Sequence, residues 1–166
     1  MRKLLRKLAS GVLAAALAVS LVPAAAFAAP AKETHITILG TSDMHANPWG
    51  FSYEDDKETN NNGMARLYTY IQQVRAEEKN VVLLDAGDDI QGTIMTDDIY
   101  NKKPDSPHPI ITAMNIMGYD AMTLGNHEFN WGVPTLKKII AQANFPVLAA
   151  NIKDADGNFV TGAGWT

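Results

Sequence analysis

An alternation of short apolar runs with amphipathic segments between residues 35 and 150 constrains the fold of this chain most strongly. Apolar, β-branched runs predict strands at 35–41, 81–85, 120–124 and 145–150. Across 63–78, apolar residues recur at spacings of three and four, which predicts an amphipathic helix. A strand, helix, strand succession forms a right-handed parallel unit. The sequence therefore predicts an α/β fold around a parallel sheet, with its first, weakly charged strand in a central position.

Further elements are predicted around and beyond this unit. One helix should begin near Pro109 and end at Gly118, and another should begin near Val133. Residues 46–62 are polar and rich in turn formers, which predicts a solvated loop, and residues 154–158 predict a hairpin turn. Four strands and a newly begun hairpin do not make a finished two-layered domain, so we expect a truncated domain.

Metal-type side chains follow three of the predicted strands: Asp43 and His45 the first, Asp88 the second, Asn126 and His127 the third. Ligands bind at the carboxyl ends of strands in open α/β sheets, so we expect these residues to converge. In an extended strand end, Asp43 and His45 would point the same way and could hold one ion. By itself the pair is more typical of a capping aspartate beside a surface histidine, and its position after a buried strand is what favours a metal site. Asp88 could bridge two cations roughly 3.5 to 4 Å apart.

Other acidic and histidine residues near these motifs have different predicted roles. Asp85 precedes a glycine and should fix the turn, while the role of Asp89 stays open. His35 opens the first strand, away from the ligand-binding end, and is predicted to be structural. His108 lies at a helix start, where it either supports the helix or lines a substrate pocket.

The first thirty residues have the organisation of an export signal. Arg2, Lys3, Arg6 and Lys7 form a basic region, 12–22 an apolar core, and Ala26-Phe27-Ala28 a small-residue cleavage pattern. We predict a signal peptide over 1–28, an exported protein and a domain over 32–166, with membrane contact only during export. The alternative is an uncleaved anchor, because residues 11–29 approach spanning length.

Charge and cysteine content narrow the class of partner. The chain has 14 basic and 18 acidic residues, and removal of the signal leaves ten basic residues and a net charge of −8. Such a surface excludes a nucleic-acid polymer, whose binding needs a basic stripe. A small phosphorylated substrate would need bound cations. There is no cysteine, so any metal must be held by oxygen and nitrogen ligands.

The three motifs together resemble a known signature. Asp43-x-His45, Gly87-Asp88-x-x-Gln91 and Gly125-Asn126-His127-Glu128, each after a strand, resemble the N-terminal signature of calcineurin-like metallophosphoesterases. Gln91-Gly92 and Phe129 narrow the resemblance to the group of 5′-nucleotidases and 2′,3′-cyclic-nucleotide 2′-phosphodiesterases/3′-nucleotidases. The resemblance covers residues 34–151 and implies part of a two-layered α/β/β/α sandwich with two divalent ions, such as Mn, Zn, Fe or Co.

The resemblance also implies roles for individual residues. Asp43 and His45 would bind one metal, Asp88 would bridge, Asn126 would bind the second, and His127 would act on the substrate phosphate. Because these four ligands cannot fill two metal sites, further ligands would have to come from downstream sequence. We therefore expect the chain alone to have little activity.

Residues around the motifs bear on the branch of the family. Asn130 stands where 5′-nucleotidases usually carry an aspartate, which favours the cyclic-nucleotide branch. Asn130, Glu128, Gln91 and His108 are expected to support the site or contact substrate. The predicted function is an exported dinuclear phosphoesterase acting on small nucleotides, with 5′-nucleotidase as the alternative. A non-catalytic metal-binding or interaction domain is the rival from another class, and the oligomeric state stays open.

Overall fold

The computed structural model describes residues 33–103 and 105–162. Contacts divide the chain between Thr34 and His35, and the fold described below is that of the second unit. The predicted signal peptide, and with it the choice between cleavage and anchoring, lies outside the described residues. Within the described ranges, no helix has the length and apolar character needed to cross a membrane.

The described part of the chain contains six strands, four of which form a parallel sheet. The strands are, in chain order, β1 (Thr37–Thr41), β2 (Phe51–Ser52), β3 (Lys57–Glu58), β4 (Val81–Asp85), β5 (Ala121–Thr123) and β6 (Val147–Leu148). The sheet has the order β1-β4-β5-β6, and all its neighbours are parallel. The small antiparallel pair β2-β3 lies within the segment predicted as a loop.

The predicted α/β class with parallel strands is confirmed, but the predicted central position of β1 is wrong. β1 lies at one end of the strand order, next to β4 alone. Apolar composition indicated cover on both faces of the strand. Instead, Ile38 is 66% exposed, whereas Leu39 packs against the core.

Three α-helices connect the strands: α1 (Met64–Glu77), α2 (Pro109–Met117) and α3 (Val133–Ile140). α2 shows clear start and stop signals. Pro109 occupies its first turn, the His108 ring accepts a hydrogen bond from the Ile111 N–H, and Gly118 ends the helix at φ 71°, as predicted. A π-helical turn (Met95–Tyr100) and a 3-10 turn (His127–Phe129) lie between these helices and the strands. Lys153 pairs antiparallel with Phe159, which confirms the predicted hairpin.

The apolar core lies on one face of the sheet. The buried cluster takes its side chains from β4, β5 and all three helices, including Leu83, Met122, Ile71, Met114 and Ile139. Burial of such side chains is the dominant stabilising contribution to a fold of this kind. On the opposite face, Ile36, Ile38 and Leu84 are exposed.

Candidate metal and phosphoester site

The loops that follow β4 and β5 are joined by the carboxylate of Glu128, which is 1% exposed. Its Oε2 accepts hydrogen bonds from the N–H groups of Asp88 (2.8 Å) and Gly125 (2.7 Å). Its Oε1 accepts from Asp89 (2.7 Å) and Ile90 (3.4 Å). A buried carboxylate is costly unless such donors surround it. Glu128 therefore fixes the backbone that carries Asp88.

Two glycines allow these loops to approach each other closely. A Cβ on Gly125 would lie 2.3 Å from Asp88 Oδ1, and a Cβ on Gly87 would lie 2.2 Å from the Gly125 nitrogen. Gly87 also has φ 93°, which side-chain-bearing residues rarely adopt. This close packing lets the His127 N–H donate to Asp88 Oδ1 at 2.7 Å.

Three side chains converge at this edge of the sheet. His45, Asp88 and His127, all half-buried, each offer a ligand atom, and these atoms lie within 4.8 Å of one another. The rings of His45 and His127 have centroids 5.0 Å apart and stand nearly perpendicular. Two imidazoles and a carboxylate are a donor set that suits first-row transition metals and zinc. The residues present therefore fit a divalent metal ion, as the resemblance noted from the sequence implies.

Asp43 joins this group from the loop after β1. Its Oδ1 lies 3.8 Å from His45 Nε2, so the two predicted ligands are neighbours. Their N–H groups donate to the carbonyls of Gly87 (2.9 Å) and Asp88 (3.1 Å), which ties the first loop to the second.

The backbone of the predicted ligands Asp43 and His45 is not extended as we expected, and that of Asp88 is not extended either. Asp43, His45 and Asp88 have φ values of 56°, 43° and 65°. β1 ends at Thr41, and the chain then turns through the left-handed region, at a cost of about 1–2 kcal/mol per residue. Such conformations cluster at functional sites, where surrounding bonds hold them in place.

Asn126 lies at the same edge, immediately before the 3-10 turn that contains His127. It is exposed, and its side chain makes no capping hydrogen bond to that turn. Its role as a ligand of a second metal stays a prediction.

A chain of side-chain hydrogen bonds leads from His127 away from the cluster. Asn130 Nδ2 lies 3.0 Å from His127 Nδ1 and 3.0 Å from Gln91 Oε1. Gln91 Nε2 in turn donates to Asp97 Oδ2 at 3.1 Å. Sequence reasoning did not assign Asp97 to the site. The sequence alone does not show that a carboxylate six residues after Gln91 would contact it, because this contact depends on the π-helical turn that contains Asp97.

Asp85 and Asp89 lie below the cluster and have structural contacts. Asp85 accepts from the Gly87 N–H at 2.6 Å, which confirms that it fixes the turn. Asp89 is fully buried and accepts from the Met44 N–H at 3.1 Å. Burial, together with a hydrogen bond to Asp85 and the charge of Asp85, raises the pKa of Asp89 to about 10. This shift favours the protonated, neutral form of Asp89.

His108 is completely buried beneath the loop after β4. Its Nε2 lies 3.1 Å from the Ile90 carbonyl, and its ring contacts that of Tyr100 at 4.6 Å between centroids. Since Nδ1 accepts from Ile111, Nε2 carries the proton and donates to Ile90. Burial lowers the pKa of His108 to about 4, so the ring is neutral at pH 7. With no exposed surface, His108 supports the loop backbone.

Comparison with known proteins identifies the family. The model of the calcineurin-like phosphoesterase family matches residues 36–165. The chain belongs to this family. Calcineurin-like phosphoesterases are metal-dependent phosphoric ester hydrolases, which agrees with the donor set found at the sheet edge.

Several relatives carry nucleotide-related names. The chain is 42% identical over 133 residues to the trifunctional nucleotide phosphoesterase protein YfkN of Bacillus subtilis, covering 76% of this chain and 9% of that protein. It is 39% identical to a 2′,3′-cyclic-nucleotide 2′-phosphodiesterase/3′-nucleotidase of Yersinia enterocolitica (81% and 21% covered) and 45% identical to a 5′-nucleotidase of Rattus norvegicus (74% and 21%). A crystal structure of YfkN matches with a TM-score of 0.68 at 41% identity, covering 76% of this chain and 40% of the crystallised chain. The chain thus spans about a tenth to a fifth of the length of these curated relatives.

Proposed function

We propose that this chain contributes to a two-metal phosphoesterase site for small nucleotides, with 2′,3′-cyclic-nucleotide phosphodiesterase/3′-nucleotidase as the most specific assignment. The observation that carries the proposal is the convergence of His45, Asp88 and His127 within 4.8 Å at the carboxyl edge of the sheet. The relatives' names support a nucleotide ester as the substrate class.

The chain's own residues divide into ligands and a substrate-facing group. Asp43 and His45 would hold one ion, Asp88 would lie between two, and Asn126 would contact the second. When bound, such ions lower the pKa of a water molecule and neutralise charge on phosphoryl oxygens. Asp43 and Asp88 bring two negative charges to the site, and the other proposed ligands, His45 and Asn126, are neutral donors. Two divalent cations would therefore leave the site with a net positive charge, which favours an anionic substrate.

His127 is proposed to act on the phosphate rather than as a primary ligand. Its Nδ1 is engaged by Asn130, which leaves Nε2 as the ring nitrogen available to a bound substrate. Its main-chain N–H is held by Asp88, so the histidine and the bridging carboxylate are fixed relative to each other. A hydrogen bond from a preorganised donor to a phosphoryl oxygen would stabilise charge that develops during ester cleavage.

The choice between branches rests on Asn130. An amide 3.0 Å from His127 Nδ1 orients the ring without adding negative charge, whereas the aspartate expected of 5′-nucleotidases would add it. The 45% identity to a rat 5′-nucleotidase keeps that activity as the alternative substrate assignment.

The test is Asp88→Asn in the protein that carries this chain. Replacing one carboxylate oxygen by an amide should lower the occupancy of both metals, and turnover of 2′,3′-cyclic AMP should fall by about 10²-fold or more. Asp98→Asn is the matched control, because Asp98 pairs with Lys102 on the surface at 2.5 Å, outside this cluster.

Two measurements decide the outcome. Metal analysis that still finds two ions per chain in Asp88→Asn would overturn the bridging role. If the unmodified protein binds metal but hydrolyses neither cyclic, 3′- nor 5′-nucleotides, the non-catalytic binding domain is the correct function.

We also propose that the protein is exported, from the basic, apolar and small-residue pattern over 1–28. N-terminal sequencing of the protein from its native host should find Ala29 as the first residue. A mature protein that begins at Met1 would contradict cleavage.

A further inference from the structure

Asp97 determines which way the Gln91 side chain points. Asp97 Oδ1 accepts from the Gly92 N–H and Oδ2 from Gln91 Nε2, each at 3.1 Å. A carboxylate can only accept hydrogen bonds, so Gln91 must turn its NH₂ group towards it. The Gln91 oxygen consequently faces the opposite side.

That oxygen in turn orients Asn130. Gln91 Oε1 lies 3.0 Å from Asn130 Nδ2, and an amide oxygen can only accept, so Asn130 presents its NH₂ group. The same nitrogen lies 3.0 Å from His127 Nδ1. An NH₂ group donates, so Nδ1 must be the acceptor. In a neutral imidazole one nitrogen accepts and the other carries the proton, which here is Nε2.

We propose that Asp97 and Gln91 are positioning residues that act through Asn130 to select the tautomer of neutral His127 with its proton on Nε2. This deepens the proposed function and rests on it, because it makes His127 a hydrogen-bond donor to a phosphoryl oxygen rather than a base. Their side chains reach His127 through Asn130. Asp97 sets the direction of every hydrogen bond in this series, because its carboxylate is the member that can only accept.

The variant Asp97→Asn should reverse the whole chain. Position 97 keeps an oxygen for the Gly92 N–H, so its new NH₂ group faces Gln91. Gln91 must then turn its oxygen towards position 97 and its NH₂ towards Asn130. Asn130 responds by presenting its oxygen, which accepts a hydrogen bond from His127 Nδ1–H. The proton is therefore expected on Nδ1.

A second substitution should restore the original direction. With Gln91→Glu added to Asp97→Asn, the carboxylate at position 91 accepts from the new amide on one side and from Asn130 on the other. Asn130 again presents its NH₂ group, and the His127 proton returns to Nε2. If Asp97→Asn acted only by disturbing the structure, the second substitution would add to that disturbance and would not return the proton to Nε2. Asp98→Asn, whose side chain pairs with Lys102, is the matched control and should change nothing.

The measurement is ¹⁵N NMR of histidine-labelled protein in the metal-free state, above the pH at which a free imidazole is charged. The His127 signals are identified by their loss in His127→Gln. His108, whose ring is held between Ile111 and Ile90, reports in the same spectrum that the fold is intact. Retention of the Nε2 proton in Asp97→Asn, or failure of the double variant to restore it, would overturn the inference.

Kinetics separate this inference from the proposed function. In the active protein, kcat for a cyclic nucleotide should fall about 10- to 100-fold in Asp97→Asn, with KM changed much less, and should recover in the double variant. If the tautomer switches while kcat is unchanged, the role of the relay in turnover is refuted. If the unmodified protein has no activity, the proposed function fails, and the NMR result still decides the tautomer.

Discussion

The two faces of the parallel sheet differ sharply although the same strands form both. In β4, Leu83 is fully buried under the helices, while the next residue, Leu84, is 37% exposed on the other face. In β1, Leu39 packs against the core and Ile38 is 66% exposed. An exposed apolar face on a parallel sheet is unusual, because such sheets are normally covered on both sides.

The difference shows that the described helices supply cover for one layer only. Exposed apolar side chains that lie together on one surface mark a site where further protein packs. The sandwich implied by the family resemblance has a second layer, and this face is where we expect it to lie. The candidate site residues, by contrast, lie at the edge where the strands end.

The largest effect on the free energy of unfolding should come from replacing Leu83, the buried member of the adjacent pair Leu83 and Leu84. Leu83→Ala should lower the free energy of unfolding by about 2–5 kcal/mol, because it leaves a cavity in a fully packed core. Leu84→Ala removes the same atoms from the exposed face and should cost less than about 1 kcal/mol. Urea denaturation of the two variants measures the contrast. Equal losses would show that both faces are covered in solution.

Burial of the His108 ring should also make the stability of the fold depend on pH. Its folded pKa of about 4 lies below the ordinary value of 6.5, so the unfolded chain binds more protons between these values. The contribution of His108 to stability should therefore fall as pH drops from 6.5 to 4, by up to about 3 kcal/mol, while Asp89, with its raised pKa, contributes in the opposite direction. His108→Gln can keep the hydrogen bond to Ile90 but cannot titrate, so its stability should show less of this slope. A slope identical to that of the unmodified protein would assign it to other groups.

The smallest effect on stability should come from the exposed face. Ile38→Ser should change the free energy of unfolding by less than about 1 kcal/mol, yet reduce binding of a hydrophobic dye and slow aggregation of the isolated chain. Thr37→Ser, a change at the adjacent half-buried position, serves as the control. Dye binding that is unaffected by Ile38→Ser would mean that this face is already covered.

The elements were predictable from sequence to the extent that their signals are local. Apolar periodicity located α1, and the proline and glycine around α2 set its ends. The position of β1 at one end of the sheet was not predictable. Its apolar residues indicate that other residues pack against the strand, but they do not indicate where the strand lies in the order. The short pair β2-β3 was missed because a strand of two residues has no period to detect.

The convergence of His45, Asp88 and His127 at one edge was predictable from the sequence, but their conformation was not. Strand ends brought His45 and Asp88 to one edge, as expected from a parallel sheet. The left-handed backbone of Asp43 and His45 could not be read from their identity, since aspartate and histidine are also common in extended chain. The buried role of Glu128 depends on four N–H groups, three of which are nearly forty residues away.

Glu128 also determines when the site can form. Its carboxylate bonds to the loop after β4 and to the loop after β5, and these loops meet only once both strands have paired. We therefore expect the geometry around Asp88 to form together with the pairing of β4 and β5. The amide protons of Asp88, Asp89 and Gly125 should consequently exchange with solvent as one group, in a single opening event that releases both loops together.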